Sequence, residues 1–142
     1  QLIEQMKIIL GTNFGLYFKA HTFHWNVEGI HFQQFHALFD TIYSEVQDSL
    51  DMFAENIRKL DAYTPASFHR FSNLTMIQDE TDVLPSEQMV AELLQDSEKL
   101  QQMFKIVFQA AEELGEHGLS NFLADRQDAH AKHSWILRAS LK

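Results

Sequence analysis

Apolar side chains recur at three- and four-residue spacing through most of this chain, the period of helices that bury one face. Ile3, Met6, Leu10, Phe14, Tyr17, His21 and His24 form the first stripe and predict a helix over residues 1–27 ending in two histidines. Gly11 and Gly15 lower its local propensity and leave room for close contact. Glu28-Gly29 interrupts the pattern, so residues 28–32 read as a turn. Phe35, Phe39, Ile42, Val46, Leu50, Phe53, Ile57 and Leu60 then predict a second helix over 33–60. Periodicity lapses over 61–84, where Thr64-Pro65 and Asn73 act as breakers, while Phe68, Phe71 and Leu74 predict a short helix buried against the bundle. Pro85-Ser86-Glu87 reads as a helix start, with Ser86 as its cap and Glu87 favouring the dipole. Val90, Leu93, Leu94, Leu100, Phe104, Val107, Ala111 and Leu114 carry the third long helix to Gly115, a C-cap residue. Leu119, Phe122, Ala129, His133, Ile136, Leu137 and Leu141 predict the fourth, over 118–141. The expected fold is all-α: a four-helix bundle whose long crossover between helices 2 and 3 carries a short extra helix. It forms a single domain over residues 1–142.

Composition narrows the classes of function. At 142 residues the chain is large enough for one core, and 45% apolar with 22% charged residues is ordinary for a globular protein. No apolar run approaches a membrane span and nothing resembles a signal peptide. The absence of cysteine excludes disulfides and thiolate metal sites and fits a reducing, cytoplasmic setting. A net charge of −9, from 20 acidic and 11 basic residues, opposes a nucleic-acid groove and favours cation attraction. The chain opens on Gln1, so a preceding segment is expected.

One position after the core stripe of the second helix runs a different one: His36, Asp40, Tyr43, Gln47, Asp51 and Glu55. Residues four apart share a face, so His36/Asp40 and Asp51/Glu55 form two pairs. Eleven steps of roughly 100° separate Asp40 from Asp51, close to three turns, which places both pairs on one stripe. Their centres nevertheless lie about 22 Å apart at roughly 1.5 Å per residue. Metal–ligand bonds are about 2–2.6 Å long, so one ion cannot take both pairs from one chain. A second copy laid antiparallel, with a two-fold axis near residues 45–46, brings the His36/Asp40 pair of one chain to the Asp51/Glu55 pair of the other. Imidazole and carboxylate together suit iron, zinc or manganese. The same stripe also reads as a solvated polar face. The pattern argues against an intrasubunit di-iron site. Such a site needs two Glu-x-x-His spacings on core-facing helices, and the one present, Glu28-Gly29-Ile30-His31, falls in a turn.

His24-Trp25-Asn26-Val27, then His36 and Asp40, then Asp51-Met52-Phe53-Ala54-Glu55, resemble the signature of the Dps family of mini-ferritins, DNA-binding proteins from starved cells. His133-Ser134-Trp135-Ile136-Leu137 resembles that family's last helix, and the likeness extends over nearly the whole chain. The resemblance implies a ferritin-like bundle assembled into a shell of twelve subunits. It implies ferroxidase sites at two-fold interfaces, with His24, His36 and Asp40 from one subunit and Asp51 and Glu55 from its neighbour. There Fe(II) would be oxidised by hydrogen peroxide or oxygen and stored as ferric mineral, protecting against oxidative stress. Zinc is a surrogate occupant that the same ligands accept. Trp25, beside His24, reads either as a local electron donor or as a large core aromatic.

The remaining histidines divide. His21 and His31 read as hydrogen-bonded structural residues or as partners of the ligands. His130 and His133 have a ligand spacing, but His133 lies on the core stripe, and His69 and His117 read as surface residues. Tyr43 and Gln47, between the two ligand pairs, are expected to pack across the two-fold axis.

The chain departs from the family pattern at Asn56, where an arginine usually follows the glutamate. It departs again at Glu116-His117-Gly118-Leu119-Ser120-Asn121, where an aspartate-rich segment usually lines the iron-access pores, although Asp125 and Asp128 follow. Two other functions compete: a Dps-like DNA-coating protein acting through a basic tail, and an inert helical assembly whose polar stripe only pairs subunits.

Overall fold

The computed structural model describes all residues, 1–142. It contains five helices and no strand: α1 (Leu2–Asn26), α2 (Phe32–Lys59), α3 (Phe68–Leu74), α4 (Ser86–Glu113) and α5 (His117–Ser140). The two hairpins α1–α2 and α4–α5 lie together through α1 and α4, and α3 rests on α1 within the crossover. The expected four-helix bundle, with the short extra helix in its crossover, is therefore present. No helix is long and apolar enough to cross a membrane.

The α2 stripe faces inward as its period requires: Phe35, Phe39, Ile42, Val46, Phe53 and Ile57 are buried. Phe53 stacks on Phe104 of α4 at 5.8 Å between ring centroids and meets Phe122 of α5 edge-on at 4.7 Å. One side chain thus ties three helices together, and truncating an aromatic of this kind costs about 3–5 kcal/mol.

On α1 the buried apolar face is Leu2, Met6, Ile9, Leu10, Leu16, Ala20 and Phe23; it keeps Met6 and Leu10 of the expected stripe and lies about one position round from it elsewhere. Ile3, Phe14, Tyr17, His21 and His24 are only half-buried. The shift arises because aromatic and histidine residues on the neighbouring face mimic an apolar stripe, while Asn13 enters the core by donating to the Ile9 carbonyl at 2.7 Å.

Two other local expectations are corrected. α3 has no buried residue: Phe71 stacks on Phe14 at 4.8 Å, whereas Phe68 is 81% exposed. Ser86 does not cap α4; Pro85 supplies the extended N-cap position, Ser86 is already helical, and no side chain closes that end. Gly11 and Gly15 give the close contact expected of them, Gly11 with the end of α3 and Gly15 with the crossover just after it. A Cβ on Gly11 would lie 2.7 Å from Cβ of Leu74, and one on Gly15 would collide with the Thr75 hydroxyl. Thr12 completes that seam by accepting the Met76 amide at 3.1 Å.

Candidate metal centre

The short link after Val27 folds the end of α1 back onto the start of α2, which places His24 against His36. Their rings stack at 3.8 Å with 16° between planes. His24 Nδ1 lies 2.8 Å from the carbonyl of His36, and His36 Nδ1 lies 2.7 Å from the carbonyl of His24. A carbonyl only accepts, so each Nδ1 carries the hydrogen and donates it. Each Nε2 is left with its lone pair and no partner in the chain. Fixing one ring nitrogen on a backbone carbonyl while the other stays free is how proteins orient a ligating histidine.

Asp40, one turn beyond His36, is exposed and uses one oxygen to accept the Ser44 hydroxyl at 3.0 Å. The rest of its acceptor capacity is free. Asp51 and Glu55 are exposed, one turn apart, and without an ion-pair or hydrogen-bond partner among the contacts of the chain. Asp51 lies at the rim of an apolar hollow of about 530 Å³ formed with Leu10, Phe14, Ala54, Pro65 and Phe71. No group of three or more His, Cys, Asp or Glu side chains within the chain is placed to hold one ion. The structure thus joins His24 to His36, sets Asp40 beside them on α2, and leaves Asp51 and Glu55 apart. The donors that are present fit a hard or borderline cation: two oriented imidazole nitrogens and unpaired carboxylates.

Around this pair lies an aromatic layer whose extent was hidden in the sequence. His21 stacks on Tyr43 at 3.8 Å and 9°, contacts Trp25 at 4.3 Å, and bonds Tyr17 Oη through Nδ1 at 2.9 Å. Burial, then the neighbouring His24, hold His21 below the ordinary imidazole range, with Asp40 pulling the other way. Trp25 is 55% exposed and so is not a core aromatic. Tyr43 makes its close packing with His21 of its own chain. The spacing of Tyr17 and His21 signalled a shared face, but not their hydrogen bond.

The other histidines are occupied elsewhere. Glu45 of α2 receives Arg126 Nη1 at 2.5 Å, Arg126 Nη2 at 2.8 Å and His133 Nε2 at 2.8 Å from α5. Burial alone would raise the Glu45 carboxyl; His133 and Arg126 overcome it and hold the group well below the ordinary carboxylate range. His130 lies beside Arg126 at 3.2 Å, and burial foremost, then Arg126 and His133, keep its pKa well below the usual value. A cation among these residues would meet the guanidinium, so the His130/His133 spacing serves structure. His31 is exposed and packs edge-on to Phe35, His69 contacts Asn73, and His117 bonds Glu112 at 2.9 Å. Asn56, at the position where the resemblance led us to expect arginine, is buried and donates to the Met52 carbonyl.

Comparison with known proteins agrees with this architecture. The ferritin-like domain family matches residues 3–142. A Helicobacter pylori protein named DNA protection during starvation protein is 31% identical over 89% of this chain and 88% of its own length. Antigen TpF1 of Treponema pallidum is 32% identical over 89% of this chain and 72% of its own. Among solved structures, a Vibrio cholerae Dps protein, described as a member of a broad superfamily of ferritin-like diiron-carboxylate proteins, superposes with a TM-score of 0.95. It is 28% identical and is matched over 99% of this chain and 89% of that one. The chain belongs to the Dps family of the ferritin-like superfamily.

Proposed function

We propose that the chain is an iron-oxidising, iron-storing mini-ferritin whose ferroxidase sites are shared between two-fold-related subunits. His24, His36 and Asp40 of one subunit would take Fe(II) together with Asp51 and Glu55 of its neighbour. The observation that carries this reading is the reciprocal bonding of His24 and His36, which orients two imidazoles and leaves both Nε2 atoms free. An antiparallel copy supplies what the single chain lacks, since the Asp51/Glu55 pair is unpartnered and lies about 22 Å, roughly four turns, from the His36/Asp40 pair along the same helix. The proposed assembly is a closed shell of twelve subunits.

Bound iron supplies the electrons, and hydrogen peroxide, with oxygen as the slower alternative, accepts them. The chain's own residues hold and orient the ion, and the backbone carbonyls of His24 and His36 fix the tautomer that can ligate. The carboxylates offset the charge that grows as Fe(II) becomes Fe(III). Trp25, exposed beside His24, serves as a local electron donor. Zn(II) competes for the same ligands. A net charge of −9 favours cation uptake over contact with DNA.

The test is anaerobic addition of Fe(II) to the protein, then peroxide, while ferric absorbance and hydroxyl radical are recorded. Rapid ferric signal with little radical, lost in a His36→Ala/Asp40→Ala variant, is the expected result. A rate no better than buffer, or an unaffected double variant, overturns the reading.

A further inference from the structure

We propose that Tyr17 is the terminal one-electron donor of this site, refilling an oxidised Trp25 while passing its phenolic proton to Nδ1 of His21. The identity of the oxidant rests on the ferroxidase reading above; the relay itself rests on geometry.

Tyr17 Oη is 2.9 Å from His21 Nδ1, and the Gln47 side-chain amide approaches the same oxygen at 3.4 Å. An amide N–H only donates, so both contacts are satisfied when the phenol accepts from Gln47 and donates to His21. The His21 ring lies 4.3 Å from Trp25 on one side and 5.5 Å from Tyr17 on the other. One imidazole therefore bridges the exposed indole to the half-buried phenol. A phenol that loses an electron sheds its proton at once and needs a base in reach. Burial, then Tyr43, raise the Tyr17 pKa, so it enters the step protonated. The chain has three tyrosines, and Tyr17 is the one whose hydroxyl faces such a base. Tyr43 lies against the same His21 ring but face to face, without a bond from its hydroxyl, and Tyr63 is 84% exposed under Arg58.

The electron count shows when the relay acts. Peroxide takes two electrons, and a site holding one Fe(II) gives one. Fe(II), hydrogen peroxide, the indole and two protons then yield Fe(III), two waters and an indole radical cation. Tyr17 next gives one electron to Trp25 and one proton to His21. The products are a neutral indole, a neutral phenoxyl radical and an imidazolium.

The relay is tested without iron. Azide radicals generated by a radiolysis pulse oxidise tryptophan in a Trp135→Phe background, so that Trp25 is the indole that reacts. The expected record is decay of the indole radical with matching growth of phenoxyl absorbance, first order, independent of protein concentration and slower in D₂O. Tyr17→Phe, which removes the electron and proton donor with one hydroxyl, should abolish the matched phenoxyl growth and prolong the indole radical. Tyr43→Phe and Tyr63→Phe should leave the decay unchanged. An unchanged decay in Tyr17→Phe, or a transfer that disappears with Tyr43 or Tyr63 instead, overturns the proposal. Because no metal is present, this result is independent of whether the ferroxidase reading stands.

Discussion

Glu45 is where a single substitution should show most directly what an orphaned buried charge costs this fold. Its carboxylate receives three charge-assisted contacts, two from Arg126 and one from His133, and the Arg126 side chain is only 7% exposed. Glu45→Ala leaves that guanidinium buried without its carboxylate, with only His130 Nε2 within hydrogen-bond reach at 3.2 Å. Hydrogen bonds to charged groups contribute about 1.5–3 kcal/mol each, and breaking a buried pair by removing one partner costs about 3–5 kcal/mol. The Glu45 side chain is itself 39% exposed, so solvent screens part of the loss and the lower end applies, about 3 kcal/mol. For a chain of this size that corresponds to a fall in Tm of roughly 10 °C. The second half of the test is rescue. In Glu45→Ala/Arg126→Met the stranded charge is gone and an unbranched apolar side chain fills much of its volume, so the double variant should be more stable than Glu45→Ala. Thermal and urea unfolding at one fixed subunit concentration would measure this, since assembly makes stability concentration-dependent. A double variant at or below the stability of Glu45→Ala would refute the reasoning, because the cost would then not come from the orphaned guanidinium.

Acid should destabilise the fold in two stages. His130 and Glu45 both have folded pKa values below their unfolded ones, so the unfolded chain binds more protons and stability rises with pH. Loss should therefore begin as pH falls below about 6.5 through His130, with a smaller part from His21, and continue below about 4.5 through Glu45; His130→Phe should shrink the first stage in a urea midpoint-against-pH series. Gly15→Ala forces Thr75 aside and should cost about 1–3 kcal/mol, read as a lower urea midpoint. Zn(II) added before Fe(II) should suppress ferric absorbance in the wild type in proportion to site occupancy, with a reversal on chelation.

The bundle was legible because α2 separates its jobs so clearly. Its core stripe and its His/Asp/Glu stripe lie about 100° apart, and the core stripe faces inward as its period required. α1 was less legible, since Phe14, Tyr17, His21 and His24 repeat at helical spacing on a face that is only half-buried. A periodic aromatic face and a periodic core face look alike until a neighbour is placed. The close of α2 was legible to within one residue, 60 against Lys59, although Asp61, at φ 63°, takes the left-handed position usually held by glycine. His24 and His36 stood out as candidate ligands, but their mutual tautomer lock joins side chains to distant carbonyls and leaves no linear signal. Glu45 with Arg126 and His133 was likewise invisible, because its members are separated by 81 and 88 positions.

The central claim, that each site draws on two subunits, is tested by complementation. One variant, His36→Ala/Asp40→Ala, lacks ligands on one side; the other, Asp51→Ala/Glu55→Ala, lacks them on the opposite side. Each alone should oxidise Fe(II) no faster than buffer. In a mixed two-fold pair, one site combines both defects while the other is intact. With random pairing half the pairs are mixed, so coassembled shells should regain about a quarter of the wild-type ferric signal. A mixture that stays inert while forming mixed assemblies would contradict shared sites, as would full activity in either variant alone.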